Sequence, residues 1–387
     1  MGVVEGPVVE GHCDPAFRAV REVFAEQFAA GRQVGAAVAV YADGRPVVDL
    51  WGGLADGRAG KPWQRDTPCV AFSCTKAVTA TAALLLAERG EVDLAAPVTG
   101  WWPEFGAHGK EGVTGEHLLS HQTGLPAFDR PITPEEAADP AAMAAQLAGQ
   151  APEWTPGDGH GYHALTYGWL AGEIVRRHAG TTVGAFVRRE FGPDLWIGSP
   201  PEVIARAARL GGRPVPSGGA DPVAKHDGLL HRLAEAYMDP ESRLNRALHN
   251  PKASYNNPVV LSGGWPAAGM VTTPRDLAAF YDRLIRGEIL RPDTLAEGVR
   301  TRVNGPDKVL LVDTSFALGY MRPNVNFRTP GPGRASAFGH SGAGGSIGLG
   351  DPEAGLAVGF IPNLMGDGLG GDLRSYELLK AAYAALG

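Results

Sequence analysis

The residues best placed to do chemistry lie in Ala71-Phe72-Ser73-Cys74-Thr75-Lys76, which runs into an apolar stretch from Ala77 to Leu86 and closes on Glu88-Arg89-Gly90. Ala and Leu dominate that stretch, apolar residues recur at helical spacing, and Gly90 stands where a helix C-cap glycine belongs. Ser73 is therefore expected at a helix N-terminus, where free backbone N–H groups and the helix dipole favour a developing negative charge. Lys76 follows three residues later, one turn up the same face, so its amine can reach the serine hydroxyl. A serine alone is a poor nucleophile and needs a base to take its proton. Burial in so apolar a helix lowers a lysine's pKa, and a neutral amine can be that base. The plain alternative makes Ser73 an ordinary N-cap and Lys76 an ordinary solvated side chain. Against it, this is the one Ser-x-x-Lys in the chain and it opens a buried-looking helix.

Other reactive residues sit in weaker contexts. Gly344-Gly345-Ser346-Ile347-Gly348 matches the Gly-x-Ser-x-Gly nucleophile elbow, which requires a strand, a sharp turn and then a helix. Here Leu349-Gly350-Asp351-Pro352 follows, a hairpin signal. His117 and His121 are four apart on an expected short helix, but no third metal ligand stands at a suitable spacing, so both are read as packing residues. Cys13, Cys69 and Cys74 make neither an even disulfide set nor a close metal spacing and are read as free thiols. Cys74 neighbours Ser73 but points away from Lys76. There is no Walker-type loop, no His-Glu-x-x-His and no dinucleotide fingerprint, so no cofactor is expected.

The elements that must position these residues read as an α+β fold: an antiparallel sheet flanked by helices, plus a mostly helical lobe. Asp14 to Arg32 is an amphipathic helix with Pro15 in its first turn. Val34 to Tyr41 and Arg45 to Trp51 are β-rich runs joined by Ala42-Asp43-Gly44, a hairpin signal. Leu165 to His178 reads as a helix ended by Gly180, Leu229 to Tyr237 as another, and Thr273 as the N-cap of a third. Phe316 to Tyr320, Ala337 to His340, Ser346 to Gly350 and Leu356 to Phe360 read as strands, and Leu373 to Leu386 as a closing helix. The expected division is a discontinuous α/β lobe, 14–70 with 310–387, and a helical lobe, 71–309. Within the second, 199–265 is long, punctuated by Pro, Gly and Asn, and placed to cover a site as a lid.

Composition limits the partners. The 387 residues suffice for a large core, and 44% hydrophobic with 20% charged is ordinary for a soluble globular chain. A net charge of −7 with no basic run argues against nucleic acid. No apolar span reaches membrane length, and Met1-Gly2-Val3-Val4-Glu5-Gly6 lacks the charged and apolar regions of a signal peptide, so a cytoplasmic location is expected.

Three stretches, Ser73-Cys74-Thr75-Lys76, Tyr162-His163-Ala164 and His340-Ser341-Gly342-Ala343-Gly344-Gly345, occur in an order and spacing that resemble the penicillin-recognising serine hydrolases. That superfamily takes in class C β-lactamases, D-alanyl-D-alanine carboxypeptidases and the family VIII carboxylesterases. The resemblance extends to His121-Gln122-Thr123-Gly124-Leu125, to 263–274 and to Phe338-Gly339-His340, and so covers most of the chain. It implies that Ser73 is acylated, that Lys76 deprotonates it or holds Tyr162 as phenolate, and that Tyr162 returns a proton to the leaving group. It implies an oxyanion hole from the N–H groups of Ser73 and Ala343, with Gln122, Ala164, Gly342 and Gly344 lining the substrate and His340 beside the reacting centre. Two departures bear on substrate. The second motif often ends in Asn, whose carboxamide holds a substrate amide, and here it ends in Ala164. The third often begins with Lys, whose ammonium steers a substrate carboxylate, and here it begins with His340, mostly uncharged at neutral pH. Both changes favour small esters over peptides and β-lactams. The expectation is a serine esterase of the family VIII type. An acyltransferase passing the acyl group to an amine or alcohol is the first alternative, and a β-lactamase, a DD-peptidase or a non-catalytic penicillin sensor stands behind it.

Overall fold

The computed structural model describes residues 9–192, 194–211, 228–366 and 372–387. Met1–Gly6, read above for a leader, and 212–227 of the expected lid lie outside the described residues. The main sheet is antiparallel throughout. Its strands are β1 (Val9–Cys13), β2 (Gly35–Ala42) and β3 (Arg45–Asp56) from the start of the chain. A separate two-stranded hairpin, β4 (Val303–Pro306) and β5 (Asp313–Phe316), comes next. The sheet is completed by β6 (Phe338–Ser341), β7 (Ile347–Asp351) and β8 (Leu356–Pro362), in the spatial order β1-β3-β2-β8-β7-β6. The chain's two ends thus meet where β2 pairs with β8, with Val38 opposite Phe360 and Val40 opposite Val358.

Strand period explains why these runs are almost wholly apolar. Alternate side chains face opposite ways, and both faces here are covered. Val38, Val40, Val358 and Phe360 join Val20, Phe24 and Phe28 of helix α1 (Arg18–Ala29) in one core. Ala37, Ala357 and Ile361 point the other way, into the larger core that holds helix α2 (Cys74–Glu88). Each such Val, Leu or Phe contributes about 1.5–3 kcal/mol by leaving water. Thirteen of the fifteen residues of α2 are buried, as expected of a helix apolar all round. Its Thr79 and Thr81 hydroxyls donate to the carbonyls of Pro266 and Ala77, each at 2.7 Å. Gly90, with φ +73°, takes the left-handed turn that ends it. Helix α3 (Thr166–Ala179) packs on α2. Helix α4 (Pro274–Ile285) covers β2, β7 and β8, and α5 (Leu373–Ala384) lies beside α1.

Two expectations are corrected. The strand expected over Phe316 to Tyr320 is β5, which ends at Phe316; Ala317 N–H donates to Tyr320 O at 2.9 Å, closing a turn that Gly319 permits with φ +79°. The short helix expected to carry both His117 and His121 spans only Gly115–Leu119. His121 lies past its end in the left-handed region, at φ +63°.

Candidate active site

Ser73 is held by the backbone just before it. Cys69–Val70 pairs with Met270–Thr272, and Ala71 N–H donates to Met270 O at 2.9 Å. Phe72 then adopts φ +47°, a strained conformation for a residue with a Cβ. That conformation is fixed by Thr75, whose N–H and hydroxyl both donate to Phe72 O, at 2.9 and 2.5 Å, and by the ring of Tyr255 at 4.9 Å. The turn delivers Ser73 to the N-cap of α2, as expected from the sequence.

Around Ser73 Oγ stand Lys76 Nζ at 3.1 Å and Tyr162 OH at 2.9 Å. Lys76 is fully buried, and its amine also donates to Ala164 O at 2.7 Å and Ala267 O at 3.0 Å. Among the described residues no carboxylate lies within ion-pair distance of it. Desolvation by burial therefore holds its pKa well below the usual lysine range. Burial pushes the Tyr162 phenol the other way, upward, so the neutral form is favoured there too. The segment 161–164 that carries Tyr162 is irregular, and is tied down by histidines. His121 Nδ1 accepts the His163 N–H at 3.1 Å, and His163 Nε2 accepts the Leu125 N–H at 3.1 Å.

The end of β6 closes the site. A Cβ on Gly342 would fall 2.5 Å from Ala71 O and 3.1 Å from Phe72 Cβ, so glycine allows this strand end to abut the turn before Ser73. Ala343 opens a 3-10 turn directly after β6, and neither its N–H nor that of Ser73 has a hydrogen-bond partner among the described residues. Two free amides beside a serine hydroxyl can stabilise an oxyanion. Gly342, Ala343, Ser73 and Tyr162 line one cavity of about 110 Å³, whose apolar wall includes Leu248, Leu310 and Met321.

Other expected site residues lie elsewhere. His340 is 1% exposed and does not line the cavity. Its ring centroid is 6.1 Å from that of Tyr162, Nδ1 donates to Ser341 O at 2.6 Å, and burial lowers its pKa to about 3. Ala164 is buried and acts through its carbonyl, on Lys76. Gln122 turns its amide onto Ser120 Oγ at 2.7 Å and is not in the cavity wall, and Gly344 packs against Met365. Ser346 Oγ donates to Ala71 O at 3.0 Å and precedes β7 rather than a helix, so it has no base and no elbow. Cys74 Sγ donates to His340 O at 3.2 Å and burial raises its thiol to about 12, which leaves it inert. His117 Nδ1 accepts the Thr114 N–H at 3.2 Å in a capping box, away from any metal geometry. Sequence reasoning missed the Ala267 carbonyl, Leu248, Leu310 and the Asp307 turn. Each is brought in by tertiary contact and carries no local signal.

A serine at a helix N-cap between a buried amine and a phenol, with its own free amide and a second one on the turn after an abutting strand, is the arrangement that acyl transfer of the serine β-lactamase type requires. The chain belongs to the Beta-lactamase family, which it matches over residues 20–383. It is 34% identical to the Esterase/beta-lactamase LipL of Mycobacterium tuberculosis, over 98% of this chain and 90% of that protein. Its fold superposes on a family VIII carboxylesterase with TM-score 0.86 at 32% identity, over 98% of this chain and all of the other. A penicillin-binding protein homologue from Caulobacter crescentus gives TM-score 0.85 at 36% identity with the same coverage. No helix of the described residues is long and apolar enough to cross a membrane.

Proposed function

We propose that this protein is a serine carboxylesterase that cleaves small esters through an acyl-Ser73 intermediate. The observation that carries the reading is the pair of contacts on Ser73 Oγ, 3.1 Å to Lys76 Nζ and 2.9 Å to Tyr162 OH. A neutral Lys76 has two hydrogens, and two carbonyls, Ala164 O and Ala267 O, are in place to accept them. The lone pair is then free for the Ser73 proton. Lys76 takes that proton as Ser73 Oγ bonds to the ester carbon. The oxyanion meets the Ser73 and Ala343 N–H groups. As the C–O bond to the alcohol breaks, the alkoxide takes the Tyr162 proton, and Lys76 returns its own to Tyr162. Water repeats the sequence to release the acid. A phenol held protonated by burial suits this donor role better than that of a phenolate base.

The ester preference rests on what the site lacks. Ala164 offers no carboxamide for a substrate amide, and His340, buried and neutral, offers no cation for a carboxylate. The family VIII carboxylesterase, named for ester cleavage alone, agrees with that reading, whereas LipL is named both esterase and beta-lactamase. The test is intact-mass spectrometry of the protein mixed with 4-nitrophenyl butyrate. A butyryl adduct should appear on the parent protein and be absent in Ser73→Ala. Adding an amine separates hydrolysis from transfer: an esterase yields butyrate, whereas an acyltransferase yields the amide. An adduct persisting in Ser73→Ala would refute the nucleophile.

A further inference from the structure

Tyr162 lies in a segment outside any strand or helix, yet its hydroxyl must stay at Ser73 and the carbonyl two residues on must stay at Lys76. A buried carboxylate ties that segment down. Asp307, 3% exposed, follows β4 at the start of the turn into β5. Its Oδ1 accepts the Tyr162 N–H at 3.0 Å together with the N–H groups of Val309 and Leu310, both at 2.8 Å. Its Oδ2 accepts the Thr314 hydroxyl at 3.0 Å, and Thr314 Oγ1 in turn lies 2.7 Å from His160 Nε2. No Lys or Arg of the described residues pairs with it; His160 Nε2, at 4.0 Å, is the nearest titratable nitrogen. A carboxylate removed from water without a cation is costly unless its lone pairs are filled. An Asx turn accounts for Val309 and Leu310 alone. The bond to Tyr162 spans 145 residues of sequence and serves no turn. The same hairpin supplies Phe316, whose ring stacks on that of Tyr162 at 5.8 Å and 9°. One two-stranded hairpin therefore grips both the backbone and the ring of Tyr162.

We propose that Asp307 is the positioning residue for Tyr162, fixing the phenol at Ser73 through the backbone N–H it accepts. The inference rests on the reading of Tyr162 as the proton donor to the leaving group. Asp307→Asn keeps the side chain's size, removes the charge on the oxygen that accepts the Tyr162, Val309 and Leu310 N–H groups, and turns the side facing Thr314 from acceptor to donor, so the hold on the Tyr162 N–H weakens. The measurement is kcat and KM for 4-nitrophenyl butyrate in the parent, Asp307→Asn, Tyr162→Phe and the double variant, with a thermal melt of each. In the parent background Asp307→Asn should lower kcat by about tenfold or more and leave KM within about threefold. In the Tyr162→Phe background it should change kcat by less than about twofold, because residues acting as a unit are non-additive. The Tm loss should be the same in both backgrounds, since folding does not depend on the phenol oxygen. If Asp307→Asn does not yield folded protein, Thr314→Val removes one donor to the carboxylate. It should give a smaller loss of kcat with the same dependence on Tyr162. An equal loss of kcat in both backgrounds overturns the positioning role alone, leaving the esterase mechanism standing. A Tyr162→Phe protein as fast as the parent overturns both.

Discussion

At the scale of single residues, the site is a contest over where protons sit. Burial lowers the pKa of Lys76 and raises that of Tyr162, which favours the neutral amine and the protonated phenol that the proposed base and acid require. His340 is the informative departure. Buried and uncharged, with Nε2 lacking a partner among the described residues, it cannot supply the cation that a substrate carboxylate needs. Each missing hydrogen bond or charge contact is worth roughly 0.5–3 kcal/mol, so kcat/KM for 4-nitrophenyl butyrate should exceed that for a cephalosporin by tenfold or more. Preference for the cephalosporin would show that the substrate is held by other groups. Ser346 is a second residue whose meaning changes with context. Its hydroxyl serves Ala71 O, so Ser346→Ala should cost about 1 kcal/mol of stability and keep esterase activity within about tenfold in the same assay. Ser73 and Lys76 were legible in the sequence because one helix carries both, and helical spacing alone sets their distance. Asp307 was not, because its partner Tyr162 is brought to it only by tertiary folding.

At the scale of elements, the packing of the sheet depends on the close approach of α4. The glycines of β7 and β8 make room for it. A Cβ on Gly359 would lie 2.3 Å from the backbone oxygen of Pro274, whereas one on Gly348 would meet the edge of the Tyr281 ring at 2.5 Å and Leu277 at 3.2 Å. A ring can shift, but the backbone at the start of a helix cannot without moving α4. Overpacking typically costs about 1–3 kcal/mol, and Gly359→Ala should fall at the upper end while Gly348→Ala falls at the lower. Urea unfolding of both variants ranks them, and equal or reversed losses would mean that α4 yields as a unit. In the sequence Gly348 stood out only as the last residue of the nucleophile-elbow match, and Gly359 lay unremarked in a strand. Their packing role could not be seen there, because α4 precedes β7 by some sixty residues. The strands β2, β3, β6, β7 and β8 were legible from β-branched and apolar runs bounded by turn residues, whereas β1 and β4, polar and glycine-bearing, were not read as strands. Where that reading failed, at Phe316 to Tyr320, an apolar run had been drawn through a glycine that turns the chain.

At the scale of the whole molecule, the chain buries several histidines where segment 161–164, α2 and β6 meet. His163 and His340 are held neutral, both near a folded pKa of about 3, chiefly by desolvation, and His121 is lowered by the same cause. An unfolded histidine titrates near 6.5. Below that pH the unfolded chain binds protons that the folded chain refuses, so stability rises with pH across the interval and is lost as pH falls from about 6.5 toward about 3. Each such histidine contributes a slope of up to about 1.4 kcal/mol per pH unit. Lys76 acts with the same sign at higher pH, between its lowered value and the ordinary lysine range. The expected outcome is a free energy of unfolding that drops steeply between about pH 6 and 4, steeper than one histidine alone can give. His340→Leu removes one of the titrating rings, and the buried Nε2 without a partner, at similar volume. Its slope in that interval should be shallower by about one histidine's share, whatever the substitution does to stability at pH 8. Urea titrations of parent and variant at half-unit steps of pH decide the matter. Identical slopes would mean that His340 takes up its proton as readily in the folded state as in the unfolded one, and that burial does not hold it neutral.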